Sequence, residues 1–147
     1  MPKKDVLVIT GDWNAKIGQY SDAWKGVMGK FGHGDRNDRG ERLLEFAKIN
    51  EMYICNTRKD GKPSRKWTWL SPCGRYRNMI DYVMIQRRWS SAVRECRTFP
   101  GADIDSDHNL VLAVQHIAPA EAAKKATDKE RMEHCKLTGP RSERGIQ

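Results

Sequence analysis

Three groups of acidic and polar side chains lie at the ends of strand-like segments of this sequence. Asp12 and Asn14 follow an apolar, β-branched run, Asp81 lies in a second apolar segment, and Ser106-Asp-His-Asn109 precedes a third. A carboxylate can orient or deprotonate a water, an amide can hold a phosphate oxygen, and an imidazole can stabilise charge that develops on a phosphate. Together these residue types suit metal-assisted hydrolysis of a phosphodiester.

Asp81 is the most unusual of these residues. The alternation of a strand puts it on one face with Met79, Val83 and Ile85. A carboxylate among apolar side chains is costly to bury without a partner, and His108 is the candidate partner. An Asp–His pair fixes the orientation of the imidazole and favours its cationic form.

The remaining polar residues complete the predicted site. Asp107 is expected to point away from His108 along the chain, where it is free to bind a metal or a water. Asp12 is the candidate for activating the attacking water, and Asn14 for holding a phosphate oxygen.

Each group also has a plain structural interpretation. The first and third groups could simply form turns, since Asp, Asn and Gly favour turns. Asp81 could form a structural ion pair with Arg77 or Arg87. The three groups occurring together favour the chemical interpretation.

The segments that must position these groups predict a mixed α/β chain. The apolar run before Asp12 predicts a buried, central strand, and the glycine-rich residues 15–40 predict a long loop. A helix is predicted from Asn37 to Asn50, with Asn37 or Asp38 as its cap. Its apolar face comprises Leu43, Phe46, Ala47 and Asn50. The predicted strands are Lys4–Thr10, Met52–Asn56, Lys66–Leu70 and Asn78–Gln86 as a hairpin, Val93–Phe99, and Asn109–Ile117 as a central strand.

Composition narrows the partners and the compartment. The net charge is +8 and the sequence pI is about 9.5, which favours a polyanionic partner, DNA first. No apolar run approaches the roughly 20 residues of a membrane helix, and no signal peptide is recognisable, so we expect no membrane partner and an intracellular protein, nuclear or cytoplasmic. The four cysteines, without zinc-like spacing, are expected to be reduced thiols. A change of composition near Ile117 predicts one domain over 1–117 and a charged tail, partly helical or disordered, over 118–147.

Three motifs in this order resemble the endonuclease/exonuclease/phosphatase superfamily. They are Gly11-Asp-Trp-Asn14, Asn78-Met-Ile-Asp-Tyr82 and Ser106-Asp-His108. Three further segments resemble the endonuclease domain of non-LTR retrotransposons of the RTE/BovB type and a domesticated relative of those domains. These segments are Asn37 to Phe46, Asn56-Thr57 and Pro63 to Pro72. The resemblance runs from about residue 5 to residue 116.

The resemblance implies a two-sheet α/β sandwich flanked by helices, with the active site at one end of the sheets. It implies Asp12, Asn14, Asp81 and His108 as catalytic residues and Asp107 as a residue that helps with the metal. The implied metal is Mg²⁺ or Mn²⁺, which prefers hard oxygen ligands. The candidate substrate-binding residues are Trp67, Trp69, Arg77 and Asn78, although a tryptophan belongs more often to a core.

The superfamily pattern also includes a metal-binding glutamate and other residues before Gly-Asp-x-Asn. This sequence begins five residues before that strand, so the N-terminal half of the domain is expected to be missing. We therefore expect the C-terminal half of a metal-dependent DNA endonuclease, with little or no activity alone. A further hypothesis is that the chain makes no stable fold unless a partner chain supplies the other half. The alternative is a basic DNA- or chromatin-binding module without chemistry.

Overall fold

The chain, seen here in a computed structural model, is described over residues 5–102 and 105–116, which belong to one compact unit. Its elements are β1 (Val8–Asp12), α1 (Asp38–Ile49), β2 (Met52–Ile54), β3 (Trp69–Leu70), β4 (Arg77–Asn78), β5 (Asp81–Gln86), β6 (Val93–Phe99) and β7 (Leu110–Gln115). Short 3₁₀ helices cover Asp22–Trp24, Cys55–Thr57, Pro63–Arg65 and Arg87–Ala92. No helix among the described residues has the length and apolar character needed to cross a membrane. The predicted tail over 118–147 lies outside the described residues.

The described strands form three antiparallel sheets, so the predicted α/β class is confirmed. The main sheet has the order β1-β5-β2, while β3 pairs with β4 and β6 pairs with β7. One face of the main sheet packs on α1 and on the loop that precedes it. The other face packs on β6 and β7. The main sheet and the β6–β7 sheet are therefore two packed layers, and α1 covers the other face of the main sheet.

The prediction that the first strand is central and buried is wrong. Within the described residues, β1 lies at the edge of the main sheet, and β5 lies in the centre. Val8 and Ile9 are half-buried, and the strand is exposed from Thr10 to its end. An apolar, β-branched run predicts a strand, but it does not determine how many neighbours that strand has. The strand also begins at Val8 instead of Lys4 and continues through Asp12.

Helix α1 confirms the predicted cap and corrects the predicted face. The Asn37 side-chain oxygen accepts a hydrogen bond from the Gly40 N–H at 2.8 Å. The buried residues of α1 are Gly40, Leu43, Leu44 and Ala47. Phe46 is 41% exposed, and Asn50 caps the C-terminal end, so neither belongs to the buried face. The buried face includes Gly40 because the helix backbone there lies very close to the Lys16 carbonyl oxygen. A Cβ at position 40 would lie 1.7 Å from that oxygen, so only glycine fits.

The long loop over 15–37 contains the predicted turns but is well packed. Ile17, Trp24, Val27 and Met28 are buried in the same core as α1. The loop therefore contributes side chains to the core although it forms no long helix or strand. Its glycine content does not indicate this packing.

The predicted hairpin and the predicted last strand are both shorter than expected. β3 and β4 pair over two residues each, and β5 then pairs with β1 and β2. β7 pairs with β6, and its outward side chains Leu110, Leu112 and Val114 are 37–46% exposed. The prediction that this last strand is central is therefore wrong for the described residues. Apolar side chains on both faces of a strand do not by themselves provide other elements to cover both faces.

Candidate active site

The register of the main sheet brings the first two acids together. β1 and β5 run antiparallel, and Asp12 is paired directly with Asp81. His108 approaches from the segment before β7, and its Nδ1 lies 3.0 Å from Asp81 Oδ2. The predicted Asp81–His108 pair is confirmed.

Two further carboxylates surround the same imidazole. His108 Nε2 lies 3.9 Å from Asp12 Oδ2 and 4.0 Å from Asp107 Oδ1. Burial acts to lower the pKa of His108, but the hydrogen bond to Asp81 and the charges of Asp81, Asp107 and Asp12 outweigh it and raise that pKa. The imidazolium is therefore favoured, and 30% of this side chain remains exposed to a ligand.

Asn14 adopts an uncommon backbone conformation that holds Asp12. Its φ is 48°, and its N–H donates to Asp12 Oδ1 at 2.8 Å. Its side chain lines a cavity of about 250 Å³ beside His108. The other residues that line this cavity are Lys16, Asn37, Trp69, Asn78 and Ile80.

The four predicted substrate-binding residues separate into two pairs. Trp69 and Asn78 line the cavity beside His108. Arg77 instead stacks its guanidinium over the Trp67 ring, 5.2 Å from the ring centroid, and neither residue lines that cavity.

Asp107 has a partner that sequence reasoning missed. The Trp69 indole N–H donates to Asp107 Oδ2 at 2.8 Å. Asp107 therefore does not point freely away from His108, because one oxygen is held by Trp69 and the other faces the imidazole. The two residues lie 38 positions apart, and no sequence pattern signals a contact between them.

Two buried polar residues hydrogen-bond to the backbone around Asp81, and the sequence analysis predicted neither contact. Thr68 Oγ1 accepts hydrogen bonds from the N–H groups of Ile80 and Asp81 at 3.0 and 3.1 Å. The Asn56 amide donates to the Asp81 carbonyl oxygen and accepts from the Val83 N–H. The available sequence signal for Thr68 was its position between two tryptophans, which indicates that it is buried. A buried hydroxyl needs a hydrogen-bond partner.

The donor set fits a hard divalent cation. Asp12, Asp81 and His108 each offer one ligand atom, and these atoms lie within 4.8 Å of one another. Asp81 Oδ2 and His108 Nδ1 already pair with each other. Asp12 Oδ2 and Asp107 Oδ1 lie 3.9 and 4.0 Å from His108 Nε2, and both are hard oxygen atoms of the kind that Mg²⁺ and Mn²⁺ prefer.

Fold and site together define a sheet-rich α/β protein with one histidine among three carboxylates at the end of its main sheet. The chain is similar to two curated relatives named craniofacial development protein 2. It is 49% identical to the Bos taurus protein and 47% identical to the Tragulus javanicus protein, each over 112 residues. The matched region covers 76% of this chain and 19% of each relative, so the chain spans about a fifth of the relatives' length.

The predicted resemblance included craniofacial development protein 2, and these two matches confirm that part of it. No protein-family profile matches the chain. No solved structure matches it.

Proposed function

We propose that this chain carries part of the active site of a metal-dependent DNA endonuclease of the endonuclease/exonuclease/phosphatase superfamily, related to those of non-LTR retrotransposons. The observation that carries the proposal is the environment of His108. Its imidazole is hydrogen-bonded to Asp81 at 3.0 Å and faces Asp12 and Asp107 at about 4 Å. This arrangement keeps a cation ready for a phosphate oxygen next to carboxylates that can accept a proton.

Each residue has a distinct part in the proposed reaction. His108 binds an oxygen of the scissile phosphate and stabilises the charge that develops there, and Asp81 holds the imidazole in place. Asp12 orients the attacking water and takes its proton as the water oxygen bonds to phosphorus and the bond to one ester oxygen breaks. The departing ester oxygen takes a proton from solvent water, and Asp12 then releases its proton to solvent. The Asn14 amide holds a second phosphate oxygen. A divalent cation held by Asp12 and Asp107 would act as a Lewis acid on the phosphate.

Charge and cavity lining support DNA as the substrate. The chain carries a net charge of +8, which attracts a polyanion. The cavity beside His108 is lined by one lysine and by three asparagine side chains, which can contact phosphate or base edges.

We also propose that this chain is slow or inactive without further residues from a partner chain. The side chains of Asp12 and Asp107 are 39% and 54% exposed, so water competes for any cation that they hold. A second chain that covers this end of the sheet would exclude water and strengthen binding.

A plasmid-nicking assay with Mg²⁺ or Mn²⁺ tests this function. We expect at most slow nicking that needs the metal and disappears in His108→Ala. His116→Ala is the matched control, because His116 follows the far end of β7. Measurable nicking that is equally fast in the wild type and in His108→Ala overturns the catalytic role. Fast nicking that depends on His108 overturns the proposal of low activity.

A non-catalytic DNA- or chromatin-binding module is the second candidate, and the basic charge favours it. Phosphate contacts release counterions, so the affinity for duplex DNA should fall steeply with salt. Fluorescence anisotropy from about 50 to 200 mM salt measures this slope. Undetectable binding to duplex DNA at low salt rules this candidate out.

A further inference from the structure

β3 lies directly against the segment that carries Asp107 and His108. The Leu70 N–H donates to the Asp107 carbonyl oxygen at 2.9 Å, and Trp69 forms an isolated antiparallel bridge with His108. The Trp69 indole N–H then adds a hydrogen bond to the Asp107 carboxylate at 2.8 Å. The backbone and side chain of β3 thus both bind the residue beside the imidazole.

This indole contact decides which oxygen of Asp107 faces the site. Asp107 is 54% exposed, and an exposed carboxylate can ordinarily rotate among several orientations. A hydrogen bond from a neutral donor to a carboxylate is stronger than one between neutral groups. With Oδ2 held by Trp69, Oδ1 stays 4.0 Å from His108 Nε2.

Three of the other four tryptophans show that this contact is not a general consequence of packing. Trp13, Trp67 and Trp89 have buried indole nitrogens with no hydrogen-bond partner in the described part of the chain. Trp69 directs its N–H at a charged side chain of the candidate site. Stacking on DNA would need the ring, whereas this contact needs the nitrogen.

We infer that Trp69 is a positioning residue that fixes the Asp107 carboxylate toward His108 and toward the cation. The inference rests on the proposed function and deepens it, because it assigns the Trp69 N–H a role at the metal site. Partners of this kind, one shell behind a metal ligand, typically change metal affinity by about 10–100-fold when they are removed.

Mn²⁺ binding to the whole chain tests the inference without any activity assay. Trp69→Phe keeps an aromatic ring and removes the N–H, and we expect at least about tenfold weaker Mn²⁺ binding, measured from the electron paramagnetic resonance of free Mn²⁺. Trp89→Phe is the matched control, because its indole nitrogen has no partner in the described residues, and its affinity should equal that of the wild type. Equal affinity in Trp69→Phe and the wild type overturns the inference and leaves the proposed function intact.

Exchange of the Trp69 indole proton gives a second readout that needs no metal. We expect this proton to exchange slowly with water in the wild type and faster in Asp107→Ala, as observed by ¹⁵N NMR. If the wild type binds no Mn²⁺, the metal site of the proposed function fails, and this measurement decides the positioning role alone. Faster exchange in Asp107→Ala then supports the role, and unchanged exchange overturns it.

Discussion

Valine at position 68 would keep the shape of the threonine side chain and remove one buried oxygen. Thr68 is fully buried, and its Oγ1 accepts the N–H groups of Ile80 and Asp81. Without that oxygen both N–H groups lose their acceptor, and each buried unpaired group costs about 1–3 kcal/mol. The Asp81 group is only partly buried, so we expect Thr68→Val to lower the free energy of unfolding by about 2–4 kcal/mol. That is a large fraction of the roughly 5–15 kcal/mol of a typical domain.

Urea unfolding followed by tryptophan fluorescence measures this loss. With a slope of about 2 kcal/mol per molar urea, the midpoint should fall by about 1–2 M. Thr98→Val is the matched control, since Thr98 is equally buried and its Oγ1 has no hydrogen-bond partner in the described residues. The control should leave the midpoint unchanged or raise it. If the urea midpoint of Thr68→Val is as high as that of Thr98→Val, the hydrogen bonds from Ile80 and Asp81 to Thr68 Oγ1 do not stabilise the fold, and this prediction is refuted.

Three further outcomes are expected from the titratable and capping groups. The raised pKa of His108 means that its contribution to stability is complete below the ordinary histidine pKa of about 6.5 and is lost as the pH rises through the raised value. Asp81→Asn should lower this pKa, which NMR titration of the imidazole measures. Iodoacetamide should modify Cys73 before Cys55, as mass spectrometry would show. A hydrogen bond to the serine two positions earlier lowers the pKa of Cys73, whereas burial raises the pKa of Cys55 to about 12. Asn37→Ala should cost about 1–2 kcal/mol in a thermal melt followed by circular dichroism, because its side chain accepts two backbone N–H groups; a change under about 0.3 kcal/mol would contradict the cap.

Local signals in the sequence were sufficient to predict α1. A capping side chain at Asn37 and an apolar period of 3.6 act within a few residues, and the helix bounds agree with the prediction to within about one residue. The buried face was harder to predict, because Leu44 and Phe46 are both apolar. The close approach at Gly40, a tertiary contact, decides which of the two is buried.

Strand neighbours could not be predicted from the same signals. The first strand and β7 are both apolar runs, and each was predicted to be central. Whether a strand has one or two partners depends on segments far along the chain, and composition does not encode that number.

The pairing of Asp81 with His108 was predictable because an isolated carboxylate in an apolar strand requires a partner. The contacts of Thr68 and Trp69 were not predictable, because a hydroxyl and an indole N–H can find acceptors in many places. Only the folded backbone selects which acceptor each one has. Residues that hold a site in place are therefore harder to read from sequence than the charged residues they hold.

The pairing of β1 with β5 sets the order of events during synthesis. Val8 leaves the ribosome before its paired residue Ile85, which lies 77 positions later. At about 5–20 residues per second, translation delivers that partner about 4–15 s later. For those seconds the apolar first strand is unpaired and open to association with other nascent chains. Asp12 can meet Asp81 only after that delay, so the acid cluster forms later than α1, whose hydrogen bonds join residues close in the chain.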